Sequence, residues 1–211
     1  MDEPVPETIP AARRNHKEAL LEGAIACLHE RGFAGTTARD IVATSDTNLG
    51  SIGYHYGSKD RLMVAALGES SRRWMMPTIE RLATTGDQPP WERMRDALAV
   101  IFDDLENHRP LVLAYLEAAA LAGRNSDVRA SMAVLHVEMR GALATAIQAV
   151  LGDQGPTSGV DPVVIASFLM AAFDGLMVQW VADPDAPVPP RELLASFEAA
   201  MALLVPGERS D

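Results

Sequence analysis

The sequence is poor in the residues that build disulfide, metal and redox sites. Its 211 residues include a single cysteine, Cys27, which excludes a disulfide within the chain and is typical of proteins kept under reducing conditions. Cys27 stands between Ala26 and Leu28, so we expect a buried structural thiol. The five histidines show no metal-ligand spacing with Cys27 or with one another. We therefore predict no metal and no cofactor.

Catalytic signatures are missing as well. The sequence contains no phosphate-binding loop, nucleophile elbow or dinucleotide fingerprint, since the glycines Gly50 and Gly53 follow no predicted strand. Acid–base catalysis would require carboxylates that face each other across a cleft. Asp103 and Asp104 are adjacent in sequence and point apart, which favours a solvated surface. The chain is predicted not to be an enzyme.

Long apolar runs are absent, although 48% of the residues are hydrophobic. No run approaches 18 residues, so no membrane-spanning helix is expected. Residues 1–10, MDEPVPETIP, are acidic and rich in proline, the opposite of a positively charged leader. We expect a disordered arm there and a cytoplasmic protein.

Positive charge is scarce, and its distribution matters more than its total. The formal net charge is −11, but residues 11–67 hold seven Lys/Arg against six Asp/Glu, which leaves eleven against twenty-three elsewhere. An acidic body beside a locally neutral segment limits non-specific DNA binding and still permits docking through that segment.

The pattern of residues 11–67, where acidic and basic residues nearly balance, predicts three helices. Residues 13–31 place Leu21, Ala24, Ile25 and Leu28 on one apolar stripe, and Gly32 supplies the left-handed residue that ends the helix. A second helix fits residues 37–44, with Thr37 and Asp40 in capping-box spacing. The turn at residues 45–47 consists of residues that favour non-helical backbone.

Asn48 can cap a third, short helix in which Ile52 and Tyr56 share a buried face. The opposite face carries Leu49, Gly50, Ser51, Gly53, Tyr54 and His55. Each glycine costs a helix about 1 kcal/mol relative to alanine. A helix that keeps glycines at this cost is typical of one whose backbone is approached closely by a partner such as DNA.

These residues resemble the N-terminal domain of the TetR family of transcriptional regulators. The matching residues are Ala24, Leu28, residues 30–33 (ERGF), Thr36, Thr37, Asp40, Ile41, residues 48–59 (NLGSIGYHYGSK) and Leu62. Three positions depart from the family pattern: Asp46 replaces the usual turn glycine, Thr47 an apolar residue and Gly53 an aromatic one.

The resemblance implies a role for each matching residue. Asn48, Leu49, Gly50 and Ser51 would face the major groove, where Asn48 pairs with a base edge or phosphate and Leu49 contacts a thymine methyl group. Phosphates would be bound by Thr37, Arg39, Tyr54, His55 and Lys59. Arg13, Arg14 and Lys17 either flank the minor groove or form an ordinary charged helix start.

The rest of the chain also reads as helical. Residues 60–84 form a helix that Pro77 should kink or divide, and a domain boundary is placed near Leu67. Further helices are predicted at residues 91–108, 110–122, 127–151, 161–181 and 191–204. The predicted fold is all-α with about nine helices: a helix-turn-helix DNA-binding domain at residues 11–67, and a larger ligand-binding and dimerisation domain at residues 68–211.

The last two predicted helices are apolar on more than one side, so they are either central in a monomer or paired with their copies in a dimer. The family resemblance favours a homodimer, which would read two half-sites. The expected interface residues are Phe168, Ala172, Gly175, Leu176, Gln179, Leu194, Phe197 and Met201.

Methionines and aromatic residues in the larger domain predict either a pocket for a hydrophobic molecule or plain core. The expected lining residues are Trp74, Met94, Phe102, Tyr115, Met132, His136, Met139, Phe173 and Met177. His136, Glu117, Asp174 and Gln179 are polar groups on apolar stretches, and each either orients a ligand or satisfies an internal hydrogen bond.

The sequence thus favours a homodimeric repressor that a small hydrophobic effector releases from a palindromic operator in double-stranded DNA. The alternative is a helical dimer that acts through a protein partner, with Asp46 and Gly53 as signs of weakened DNA binding. Phosphate-based binding falls steeply with salt, whereas an apolar protein interface does not, so salt dependence separates the two.

Overall fold

The computed structural model describes residues 16–84, 88–152 and 161–183, together with Glu192 and Ser196. Over these residues the chain forms eight α-helices, one short 3-10 helix at Glu106–His108 and no strand. The helices are α1 (His16–Gly35), α2 (Ala38–Ser45), α3 (Leu49–Tyr56), α4 (Lys59–Thr84), α5 (Pro90–Asp103), α6 (Arg109–Ala122), α7 (Ser126–Leu151) and α8 (Pro162–Ala182). The all-α prediction is confirmed. The expected arm at residues 1–10 and the expected ninth helix lie outside the described residues, apart from Glu192 and Ser196.

Helix α1 is interrupted where the sequence predicted its end. Gly32 has φ 73° and ψ −176°, a backbone conformation that residues with a Cβ avoid. The chain turns there, so that Phe33 reaches the core with about 1% of its surface exposed. Thr36 is also buried, and its hydroxyl donates to the Gly32 carbonyl at 2.7 Å.

Two predicted boundaries differ from the observed ones. The helix expected at residues 91–108 ends at Asp103, and a 3-10 turn follows. Helix α4 is not divided at Pro77. It is one continuous helix of 26 residues that contains Pro77. Pro77 is exposed, so its ring has room at the surface, and the helix loses one internal hydrogen bond without ending.

A continuous buried core crosses the predicted domain boundary. Leu62 and Leu67 of α4 pack with Leu28 of α1 on one side and with Leu111 of α6 and Leu135 of α7 on the other. Because α4 contributes to both halves, a displacement of α4 in one half is transmitted to the other.

Helices α7 and α8 are long and apolar enough to cross a membrane, with mean hydropathies of 1.2 and 1.7 over 18 residues. Length and composition alone are weak support, because core helices of helical bundles meet the same criterion. Both helices pack in the bundle: Met132 of α7 and Met177 of α8 are each buried. Only 22% of each 18-residue window is buried, so packing within the described residues accounts for part of their apolar character.

Candidate functional site

The helix-turn-helix hairpin is held by local hydrogen bonds that the sequence predicted. Thr37 caps α2: its hydroxyl accepts from the Asp40 amide, and the Asp40 carboxylate accepts from the Thr37 amide at 2.9 Å, which completes the capping box. The Thr37 hydroxyl also donates to Asp40 Oδ2 at 2.6 Å. These bonds, together with the charge of Arg31, lower the pKa of the Asp40 carboxyl.

The turn keeps the geometry of a helix-turn-helix although it lacks a glycine. Asp46 adopts the left-handed conformation, with φ 53° and ψ 47°, which aspartate tolerates better than most residues. The Thr47 amide donates to the Val42 carbonyl at 3.1 Å. The departure from the family glycine at this position therefore leaves the backbone of the turn intact.

Helix α3 is capped by Asn48, whose side-chain oxygen accepts from the Ser51 amide at 3.1 Å. Its inner face is anchored by the buried Ile52 and by Tyr56, whose hydroxyl donates to the Lys17 carbonyl at 2.8 Å. The outer face presents two large side chains, Leu49 with 52% and Tyr54 with 85% of its surface exposed.

Most, but not all, of the predicted DNA-binding residues are exposed in the structure. Those exposed are Thr37, Arg39, Asn48, Leu49, Gly50 and Tyr54. Ser51 was predicted to face the major groove, but it is buried on the inner side of α3, with Oγ 3.3 Å from His16 Nδ1. A side chain that packs against α1 is not available to a base edge.

His55 and Lys59 are half-buried. The His55 ring meets Tyr54 edge-on, with 4.8 Å between the ring centroids. Lys59 stands at the first residue of α4, but its ammonium is turned toward the protein, where it donates to the Thr36 carbonyl at 3.2 Å and pairs with Asp60 at 3.1 Å. The ammonium also lies 5.6 Å from the centre of the Phe33 ring. Lys59 must leave these contacts before it can bind a phosphate.

A second candidate site is a cavity of about 110 Å³ bounded by α4, α5, α6, α7 and α8. Its walls are largely apolar, and it has room for several water molecules or a small organic ligand. It is lined by Ser71, Trp74, Met75, Ile79, Leu98, Ile101, Leu111, Val112, Tyr115, Leu135, His136, Met139, Leu143, Leu169, Met170, Phe173, Asp174 and Met177.

Six of the nine predicted ligand-binding residues line this cavity: Trp74, Tyr115, His136, Met139, Phe173 and Met177. The other three pack elsewhere. Met132 is buried in the main core, and Met94 packs beside Ile147 and Leu169. Phe102 lies behind the wall and contacts Phe173 edge-on at 5.1 Å between centroids.

The polar groups of the cavity form one cluster centred on Tyr115. The Tyr115 hydroxyl donates to Asp174 Oδ1 at 3.0 Å and lies 3.0 Å from His136 Nε2. Burial, followed by the Asp174 charge, raises the pKa of Tyr115, which keeps its hydroxyl protonated. Burial also raises the pKa of Asp174, whereas the Tyr115 hydrogen bond and the His136 charge act in the opposite direction.

Trp74 covers one side of the cavity and is held from outside. Its ring stacks on His108 with 4.4 Å between centroids and an interplanar angle of 11°. Within the cavity it faces Phe173, with 6.4 Å between the ring centroids. The aromatic wall is therefore fixed on both sides.

Helices α6 and α7 connect the cavity region to the hairpin domain through polar contacts. Glu117 of α6 accepts a hydrogen bond from the Ala34 amide at the end of α1, at 2.8 Å. At the start of α7, Asn125 donates to Asp60 at 2.8 Å and Asp127 pairs with Arg61 at 3.0 Å. Glu117 thus serves the domain junction, which sequence reasoning had left open.

The predicted dimer residues on α8 lie on its outer side. Phe168, Gly175 and Gln179 are exposed, and Ala172 and Leu176 are half-buried. Phe168 leaves 56% of its surface uncovered, which is unusual for a large aromatic side chain. Leu194, Phe197 and Met201 lie outside the described residues.

On α4, sequence reasoning named Trp74 as a pocket residue but did not name Ser71 or Ile79, and it did not place Asp174 beside Tyr115. Ser71, Trp74, Met75 and Ile79 follow helical spacing, so periodicity from Trp74 would have found Ser71 and Ile79. The Tyr115–Asp174 bond joins residues 59 apart in sequence, and no local signal predicts it.

Family models match two separate segments of the chain. Residues 90–206 match the family described as BetI-type transcriptional repressor, C-terminal, and residues 20–66 match that described as bacterial regulatory proteins, tetR family. The HTH-type transcriptional regulator BetI of Burkholderia mallei (strain NCTC 10229) is 26% identical over 104 residues, which are 49% of this chain and 53% of BetI. The chain thus spans about half the length of the curated relatives it matches.

Solved structures share the fold over most of the chain. A transcriptional regulator from Pseudomonas aeruginosa PAO1 superposes with a TM-score of 0.64 and 23% identity, covering 91% of this chain and 92% of that one. The multidrug binding protein EbrR complexed with imidazole gives a TM-score of 0.61 and 23% identity, covering 91% and 96%. The matches at residues 20–66 and 90–206 cover both the hairpin domain and the cavity domain, and this chain belongs to the TetR family of transcriptional regulators.

Proposed function

We propose that the protein is a homodimeric repressor that binds a palindromic operator through α2 and α3 and is released when a hydrophobic small molecule fills the cavity. One observation carries this proposal: the same chain holds an exposed, capped recognition helix and a separate apolar cavity, with α4 running between them. Such a regulator works on the chromosome, so we expect it in the cytoplasm.

In the proposed DNA-binding surface, some side chains would contact base edges and others would contact phosphates. Leu49 and the Asn48 amide would face base edges in the major groove, with Gly50 allowing close approach. Arg39, Tyr54 and His55 would contact phosphates and fix the register. Thr37 acts mainly by holding α2 in place, since its hydroxyl is already bonded to Asp40.

The outer face of α8 supports the homodimer. Val164, Phe168, Ala171, Gly175, Val178 and Ala182 are all exposed, at alternating spacings of four and three residues. This is the spacing by which one helix packs against another along a continuous seam. A second copy of α8 would cover this stripe, and the two-fold axis would set the recognition helices about 34–36 Å apart.

Release follows if the effector prefers a protein whose recognition helices stand at another distance. The effector can shift this equilibrium only by its differential affinity for the two arrangements. Helices α4, α6 and α7 reach from the cavity to the hairpin domain. Helix α4 carries both Trp74 and the buried Leu62 and Leu67, and α6 carries Tyr115 two residues before Glu117, the acceptor at the end of α1.

The alternative of a protein-binding dimer was based on Asp46 and Gly53 as signs of weakened DNA binding. The conformation of Asp46 speaks against it. Asp46 holds the left-handed turn that the usual glycine would hold. The exposed α3 surface is therefore presented as a groove-binding helix would require.

The test is selection of genomic fragments by the purified protein near physiological salt, followed by sequencing of the retained DNA. Enrichment of a two-fold symmetric site is expected, with affinity that falls steeply as salt rises. Leu49→Ala should weaken binding to that site about tenfold or more, whereas Val100→Ala, which truncates an exposed apolar residue of α5, should not. Retention without a shared sequence, or with no salt dependence, would contradict the proposal and favour a protein partner.

A further inference from the structure

The charge of the cavity is set by one residue. Among the described residues that line it, Asp174 is the only carboxylate and none is a lysine or an arginine. The remaining polar groups are the side chains of Ser71, Tyr115 and His136. An ionised Asp174 in these apolar surroundings gives the cavity a negative potential that water screens poorly.

Hydrogen-bond directions leave part of this carboxylate unmatched. The Tyr115 hydroxyl has one proton and donates it to Asp174 Oδ1, so its oxygen accepts from His136 Nε2–H, 3.0 Å away. Of these two side chains, only Tyr115 donates to the carboxylate, and His136 donates to Tyr115. Oδ2 accepts no hydrogen bond from the described residues, and it is not among their fully buried unpartnered atoms. It is therefore accessible to a donor brought by a ligand.

The walls around the carboxylate are aromatic. Trp74, Tyr115 and Phe173 all line the cavity, and the stacked His108 fixes the Trp74 ring. Aromatic faces attract cations through their negative π-clouds, most strongly where water is excluded. The same faces offer apolar contact to the rest of a ligand.

We propose that the cavity binds a lipophilic amine in its protonated, N–H-bearing form. The ammonium group donates to Asp174 Oδ2 and lies near the faces of Trp74 and Phe173, and the hydrocarbon part fills the space toward Leu169 and Met177. Acidic ligands are excluded by the charge of Asp174, and neutral ones leave its oxygen unmatched. This inference rests on the proposed function in taking the cavity as the effector site.

The test compares three ligands that differ only in the head group: 4-phenylbutylamine, 4-phenylbutanol and 4-phenylbutyrate. Binding to the purified full-length protein is measured by calorimetry at about pH 8, where the amine is protonated. We expect the amine to bind at least about tenfold more tightly than the alcohol, and the butyrate to bind weakest. Equal affinities, tighter binding of the butyrate, or no binding of the amine would overturn the inference.

A charge-neutral variant localises the effect. Asp174→Asn should cost the amine about tenfold or more in affinity and change the alcohol by less than about twofold. The matched control is Asp103→Asn, which removes the same charge from an exposed position at the end of α5 and should leave all three affinities unchanged. Loss of amine binding in both variants, or in neither, would refute the role of Asp174. The head-group comparison on the unaltered chain decides the question even where Asp174→Asn does not fold.

The two proposals can fail separately. Selective binding of the amine with no release of the selected operator would leave the ligand class standing and contradict the release mechanism. Release by the butyrate or the alcohol, and not by the amine, would support a ligand-controlled repressor and overturn the inferred ligand class.

Discussion

Gly23 should tolerate no side chain, although it lies within a helix where alanine is normally preferred. It is buried where α1 crosses α2. A Cβ built on it would lie 2.7 Å from Ser45 Cβ, 3.1 Å from the Ile41 carbonyl oxygen and 3.2 Å from the Ser45 nitrogen. Two of these atoms belong to the backbone, so relief requires α2 to move as a whole.

The magnitude follows from two opposing terms. Replacing glycine with alanine in a helix gains about 1 kcal/mol, and forcing a methyl group into a packed interface costs about 1–3 kcal/mol. Because backbone must move, we take the upper half of that range and expect Gly23→Ala to lose about 1–2 kcal/mol. For a chain of this length this lowers the melting temperature by about 2–8 °C.

Gly141→Ala is the matched control. Gly141 lies within α7, and a Cβ there would meet no atom within 4 Å, so only the gain in helix propensity remains. Its melting temperature should rise by about 2–4 °C. Thermal unfolding of both variants is followed by circular dichroism, and operator affinity is measured alongside, since displacement of α2 should weaken DNA binding in Gly23→Ala alone. Equal melting temperatures for the two variants would refute the packing argument.

Three further predictions concern the cap, the domain junction and the cavity. Thr37→Ala removes the two hydrogen bonds of the Thr37 hydroxyl, the one from the Asp40 amide and the one to the Asp40 carboxylate, and should cost about 1 kcal/mol in unfolding free energy, which Thr37→Ser should largely restore. Glu117→Gln replaces the charged acceptor at the end of α1, so the melting temperature should fall by about 2 °C and release of DNA should need more effector; unchanged release would contradict a role for α6. Amine binding should weaken as the pH is lowered from about 8 into the acidic range, because burial raises the pKa of Asp174 and this carboxyl loses its charge at a higher pH than an ordinary aspartate, while Tyr115 stays neutral. Asp174→Asn should remove this dependence, as titration calorimetry at several pH values would show.

Local sequence determined the elements of the DNA-binding domain. The Thr37–Asp40 capping box, the Asn48 cap and the break at Gly32 were predicted and are observed. Each depends on atoms three or four residues apart, or on the backbone preference of one residue. Such interactions form in the same way wherever the chain carries them, so the pattern alone is sufficient.

Local sequence was less informative about helix ends that depend on their surroundings. The helix expected to reach residue 108 ends at Asp103, and α4 passes through Pro77. A proline removes one donor and crowds the preceding turn, but an exposed ring leaves the rest of the helix packed on its other side. Packing against neighbouring helices decided the outcome.

The tertiary structure alone decided which side chains of each helix are available. Ser51 and Lys59 resemble DNA-contacting residues in sequence, yet Ser51 packs against His16 and Lys59 turns toward Thr36. Small differences in the crossing angle of helices determine which of two neighbouring positions is covered, and periodicity does not resolve such differences.

Composition, periodicity and capping residues were sufficient to predict an all-helical chain, because they act locally, and the resemblance to the TetR family implied DNA binding. The sequence did not determine the chemistry of the cavity. The cluster of Tyr115, His136 and Asp174 joins three helices through residues 21 and 59 apart in sequence. Contacts of that range are set by how the helices pack together, and only the folded chain brings the three side chains within hydrogen-bonding distance.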